Sequence, residues 1–188
     1  YMKSLFSIVY ACSAFMAFCQ PGNSETLQKE GLKVYELQEA TVTYAVTEGG
    51  DGNVTFSFDR SGLRSVTITK IAYAMYGIDA EMSEVDIRDG SDRFIYDLTR
   101  NTGRKKQQKT EIDLLRYKSI KETRESIYAV NGGQLVDTDV ILGKETEHWT
   151  FTSGPIREAW YWQGIILRAS IKRPRLSYTY EAIKLETK

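Results

Sequence analysis

Alternation of apolar and polar side chains dominates the first half of the chain. In Thr41–Thr47, Val42, Tyr44 and Val46 fall on one face. Glu48-Gly49-Gly50-Asp51-Gly52 follows, rich in residues that tolerate positive φ. The alternation then resumes with Val54, Phe56 and Phe58. The two runs predict a β-hairpin. Asp59 to Gly62 predicts another turn, and Leu63 to Lys70 another strand with Val66 and Ile68 aligned. Ile71 to Met82 is apolar but poorly periodic, and either continues the sheet or forms a loop over it. Glu84–Arg88 and Arg93–Leu98 flank Asp89-Gly90-Ser91-Asp92 and predict a second hairpin.

The period changes once. From Glu111 to about Val130, Ile112, Leu115, Ile120, Thr123 and Ile127 lie along one side of a helix. Thr110 can cap it, with Asp113 answering as in a capping box. Asn131-Gly132-Gly133 is a stop signal. Only strand patterns follow. Trp149 and Phe151 alternate with Thr150 and Thr152, and Trp160 and Trp162 share a face opposite Tyr161. Gln163-Gly164 reads as a tight turn. Ile165, Leu167, Ala169 and Ile171 form one row, and Leu176, Tyr178 and Tyr180 another. Ile183 and Leu185 are out of phase with that last row, which predicts a bulge. The pattern therefore describes a mainly β (α+β) fold: a strongly curved antiparallel sheet, or half-open barrel meander, with one main helix at about 111–130 on its concave face.

The N-terminal stretch carries a different signal. Met2-Lys3-Ser4 and the uncharged run Leu5 to Phe18 read as a secretory signal over residues 1–19. The run is shorter than the roughly 20 residues of an ordinary membrane span. Residues 20–32 read as a polar tether and 33–188 as a single domain. Both cysteines, Cys12 and Cys19, lie in the signal. Three fates are open: cleavage after Cys19, lipidation of Cys19, or an uncleaved helix. Cleavage leaves a chain from Gln20 without cysteine, and lipidation would be the route to membrane association. The expected location is the periplasm or outer cell envelope of a Gram-negative bacterium.

Charge and candidate chemistry narrow the function. The 25 basic and 25 acidic residues balance, so no global field favours nucleic acid as a partner. His148 is the only histidine, and a strand would turn it and Glu147 to opposite faces, which reads as a rim residue rather than a metal ligand. No Gly-x-Ser-x-Gly elbow occurs. Asp137/Asp139 and Glu145/Glu147 pair carboxylates on strand faces, a pattern that suits glycoside chemistry or calcium but is commoner as a solvated face. Arg104, Lys105, Lys106 and Lys109 form a basic run whose plain reading is a protected sheet edge.

Leu142-Gly143-Lys144, Trp149, the run Glu158-Ala159-Trp160-Tyr161-Trp162-Gln163-Gly164-Ile165-Ile166-Leu167 and the closing Glu181–Glu186 together carry a resemblance. So does Arg93–Thr99 with Asn101-Thr102-Gly103. Over about residues 31 to 187 the chain is similar to uncharacterised secreted domains of unknown function related to the periplasmic lipoprotein carriers (LolA/LolB-like fold). Arg157, Arg168, Lys172 and Arg173 make the last strands more basic than that pattern. The resemblance implies a half-open curved sheet with a helix over its concave face and a hydrophobic groove for acyl chains. The expectation is an exported, non-catalytic envelope protein without cofactor. Its hydrophobic or amphiphilic ligand, an acyl chain, lipid or lipoprotein, would lie against Trp149, Trp160, Trp162, Ile165, Ile120 and Ile127. The alternative is a structural or adhesion-type interaction module of the envelope with no small-molecule ligand.

Overall fold

The structure, a computed structural model, describes residues 23–75, 78–174 and 176–188. The expected signal and Cys19 lie outside these residues. Eleven strands form one antiparallel sheet: β1 (Ala40–Glu48), β2 (Asp51–Asp59), β3 (Arg64–Met75), β4 (Ile78–Asp89), β5 (Asp92–Asp97), β6 (Thr102–Gln107), β7 (Gly133–Ile141), β8 (Lys144–Phe151), β9 (Ile156–Trp162), β10 (Ile165–Lys172) and β11 (Ser177–Thr187). Their spatial order is β6-β5-β4-β3-β2-β1-β11-β10-β9-β8-β7. The chain thus starts in the middle, walks outward by hairpins to β6, crosses to the far end at β7, and walks back until β11 pairs with β1. The apolar run after Ile71 continues the sheet, as β3 and β4 pair from Arg64↔Asp89 to Met75↔Ile78. The bulge predicted near Ile183 is present: Thr43 faces Lys184, Tyr44 faces Ala182, and Ile183 is left over and exposed.

The sheet is curled but not closed. Strands lie about 4.8 Å apart, so a flat sheet would separate β4 from β11 by roughly 19 Å. Yet Arg173, in the loop before β11, reaches Glu84 of β4 at 3.1 Å. The curl also brings Tyr35, ahead of β1, into electrostatic range of Tyr44, Tyr128 and Tyr161.

Two helices make the crossing, where one was expected. The first, α2 (Lys109–Leu115), ends at Arg116, and α3 (Ile120–Val130) starts after Ser119. Ser119 accepts from the Glu122 N–H while the Glu122 carboxylate accepts from the Ser119 N–H, a complete capping box. No side-chain cap closes the start of α2, so Thr110 and Asp113 do not play that role. A further short helix, α1 (Asn23–Lys29), lies in the stretch read as a polar tether. It is docked: Leu27 is buried with Val34, Leu63 and Ile112 of α2.

The core divides in two. One cluster joins Val42, Tyr44, Val54, Phe58, Ile165 and Leu167. The other joins Tyr128 of α3 to Phe151, Ala159, Tyr161, Ala169 and Tyr178. Tyr128 is the keystone of the second, with ring centroids 4.8 Å from Trp149, 4.9 Å from Tyr161 and 5.6 Å from Phe151. The same sheet face turns polar beyond β2. Phe58 faces Ser65, Ser65 faces Arg88, and Arg88 faces Arg93 in successive strands. There ion pairs replace aromatic contacts: Arg93 with Asp86, Arg88 with Glu111 of α2 at 2.6 Å, and Arg173 with Glu84.

Candidate functional site

Register decides what each tryptophan does. Trp149 faces Ala159 and Leu135, while His148 faces Trp160 and Asp137. Successive residues point to opposite faces, so Trp149 lies on the α3 side and Trp160 on the opposite side. The six residues expected to line one groove therefore fall into groups. Trp149, half-buried, packs in the Tyr128 cluster. Trp160 and Trp162 pack against the other cluster, in which Ile165 is fully buried. Ile120 and Ile127 are half-buried on α3.

On the face away from α3, one cross-strand row runs Asp137, His148, Trp160, Arg168, Glu181 through β7 to β11. The His148 and Trp160 rings stack at 4.1 Å and 5°. The Arg168 guanidinium sits 4.9 Å from the Trp160 ring centre, a cation–π contact. His148 Nδ1 bonds the Asp137 carboxylate at 2.9 Å, and its Nε2 lies 3.9 Å from Glu158. Arg168 is fixed by Glu181 at 2.7 Å and Asp139 at 3.1 Å, and the hydrogen bond it donates to Glu181 leads in raising its pKa. Neighbouring hydroxyls are engaged as well: Thr146 donates to the Asp139 carbonyl, and Ser170 and Thr179 bond each other. The row offers ion pairing and stacking, and among the described residues no hydroxyl or thiol bonds the His148 ring, whose Nε2 is buried without a hydrogen-bond partner. Among the described residues, no group of three or more His, Cys, Asp or Glu is arranged to hold a metal ion.

The α3 side offers a different surface. Val130 at the end of α3 is 84% exposed, Leu135 55% and Val140 66%. Val136 and Leu142 are exposed too. Leu142 sits at φ 52 in the β7–β8 turn, a left-handed position that favours Asn or Gly. Leu135 faces Trp149 across the ladder and so shares its face. Leu135 thus sits beside Trp149, with Val136 next to it in the chain, while Val140 lies farther along β7 opposite Glu145. Leu135 and Val136 were not singled out from the sequence, and their exposure follows from β7 being the end of the sheet. Of two hollows on the described surface, one borders Gln28, Leu32, Lys33, Asp59 and Arg60, and the other Glu48, Arg157, Ser170, Lys172 and Tyr178. Neither is bordered by the six groove residues.

Burial shapes the titration of the interior tyrosines. It pushes the Tyr35 hydroxyl up to about 12 and raises those of Tyr44, Tyr128, Tyr161, Tyr178 and Tyr180. Tyr44 donates to the Ile166 carbonyl at 2.7 Å. These phenols stay neutral near pH 7.

No family model matches the chain, and no curated protein matches it. Among solved structures, LprF from Mycobacterium bovis is similar over 88% of this chain and 90% of its own, at 9% identity and a TM-score of 0.33. A likeness at that level carries no argument about ligand or activity.

Proposed function

We propose that the chain is an exported, non-catalytic protein of the cell envelope that binds a hydrophobic or amphiphilic ligand along the seam between α3 and β7. The ligand class is an acyl chain, free or as part of a lipid or lipoprotein. The observation that carries this reading is the exposure of Val130 at the end of α3 and of Leu135 and Val136 on β7, with Leu135 facing half-buried Trp149. Contiguous exposed apolar side chains mark interaction surfaces more often than single ones do. In this reading Trp149, Ile120 and Ile127 belong to the ligand surface, while Trp160, Trp162 and Ile165 hold the sheet behind it.

Titration of the chain from Gln20 onward with a fluorescent fatty-acyl probe tests the proposal. The expected result is saturable binding with quenching of tryptophan fluorescence, reduced by Leu135→Asp and unchanged by His148→Gln. Absence of saturable binding rejects it. Mass spectrometry of the N-terminus of the exported protein tests the export step. A free Gln20 terminus or a lipidated Cys19 is the expected product, and an intact leader contradicts export.

A further inference from the structure

Arg124 is a cation without a counter-ion on the same side of α3 as Ile120 and Ile127, one turn before Tyr128. It is half-buried. Its side chain lies against Gly164 in the β9–β10 turn, where an added Cβ would collide with Arg124 Nη1 and Cδ. Gly164, at φ 84, thus leaves the room that the guanidinium occupies. Among the described residues Arg124 makes no ion pair and donates no hydrogen bond.

The acidic groups around it are engaged elsewhere. Arg88, Glu111 and Arg124 all act on the Tyr35 hydroxyl, so two guanidiniums stand against one carboxylate there. That carboxylate is held by Arg88 at 2.6 Å. Glu147 acts with Arg124 on Tyr128, and it accepts from the Trp149 indole at 3.2 Å. On the helix itself, Glu125 meets Lys121 and Glu122 accepts from the Ser119 N–H. The free guanidinium is partly desolvated, and its planar fork matches a carboxylate or a phosphate. Apolar surface begins beside it. Tyr128 follows Arg124 by about 6 Å of helix. The Tyr128 ring centre lies 4.8 Å from that of Trp149, and Leu135 faces Trp149. Resting on the reading of the α3 seam as an acyl site, we propose that Arg124 binds the anionic head group of that ligand. The ligand is then a free fatty acid or an alkyl phosphate, and not a neutral ester.

Three fluorescent probes with one and the same hydrocarbon chain test this: a fatty acid, its methyl ester and the corresponding alkyl phosphate. Each is titrated into the chain from Gln20 onward at about pH 8, where an ordinary carboxylic acid is ionised. The charged probes should bind about tenfold more tightly than the ester, or better. Arg124→Gln should bring them down to the ester's affinity and leave the ester's own affinity unchanged. Arg124→Lys keeps the charge but loses the fork, and should retain part of the preference. The tighter of the two charged probes identifies the head group as carboxylate or phosphate. Equal binding of acid and ester overturns the inference and leaves acyl binding at the seam standing. A preference for the charged probes that survives Arg124→Gln overturns it as well, since the anion is then held elsewhere. So does an equal loss of all three probes in Arg124→Gln, because the arginine then serves the fold and not the head group. Saturable binding of none of the three overturns both this inference and the reading of the seam.

Discussion

The two ends of the sheet have opposite surfaces. The six residues of β6 are exposed and carry Arg104, Lys105 and Lys106, with Lys105 paired to Asp92. Lysine-rich, short edges resist pairing with other chains. The nine residues of β7 are nearly as exposed but display Leu135, Val136 and Val140. The attachments differ too. Towards β6 the interior is held by ion pairs of Arg88, Arg93 and Arg173. Towards β7 it is held by Tyr128 stacked among Trp149, Phe151 and Tyr161. One end of the sheet carries cations that resist strand pairing and the other carries exposed apolar side chains, and each is anchored by a different kind of chemistry.

The largest effect should come from removing the aromatic anchor. Tyr128→Ala leaves a cavity between α3 and the sheet and should cost about 3–5 kcal/mol in denaturant unfolding. Hydrogen exchange should rise first on β7 and β8. Alkali should act on both core clusters. The buried tyrosines have folded pKa values above the unfolded value of about 10. Their contribution is therefore complete below about pH 10. It is lost as pH rises further, because unfolded phenols release protons that buried ones hold. Denaturant midpoints measured at about pH 9 and about pH 11 should show the fall.

Arg93→Ala breaks a half-buried, doubly hydrogen-bonded pair with Asp86 at the β6 end and should cost about 1–2 kcal/mol. Ser119→Ala removes the cap that starts α3 and should cost about 1 kcal/mol. Leu135→Lys gives β7 the guard that β6 already has. It should change stability by no more than about 0.5 kcal/mol, while ligand binding at the α3 seam falls. Thermal and denaturant unfolding beside probe binding separates the two effects. A large loss of stability would show that Leu135 is part of the core.

Local patterns were readable from the chain, and non-local ones were not. The β1–β2 and β4–β5 hairpins, the Gln163-Gly164 turn and the slip at Ile183 follow from alternation and turn residues a few positions apart. The helix break was readable but missed. Ile112, Leu115, Ile120 and Ile127 fit one stripe and masked Ser119-x-x-Glu122, the real start of α3. The start of β7 was missed for a different reason. A register shift between Leu135 and Asp137 leaves Val136 without an opposite residue, so Leu135-Val136 gave no period of two. The grouping of the tryptophans rests on the Trp149↔Ala159 and His148↔Trp160 register, set by the turn between β8 and β9. A slip of one residue there would exchange their faces. Arg173 meeting Glu84 rests on the curl of the whole sheet.

A photoreactive fatty-acyl probe, cross-linked to the chain and mapped by peptide mass spectrometry, tests the central claim most directly. Labels concentrated on residues 120–130 and 133–149, and competed away by unlabelled fatty acid, are the predicted result. Labels spread evenly over the surface, or gathered on β3 to β6, would contradict a binding surface between α3 and β7.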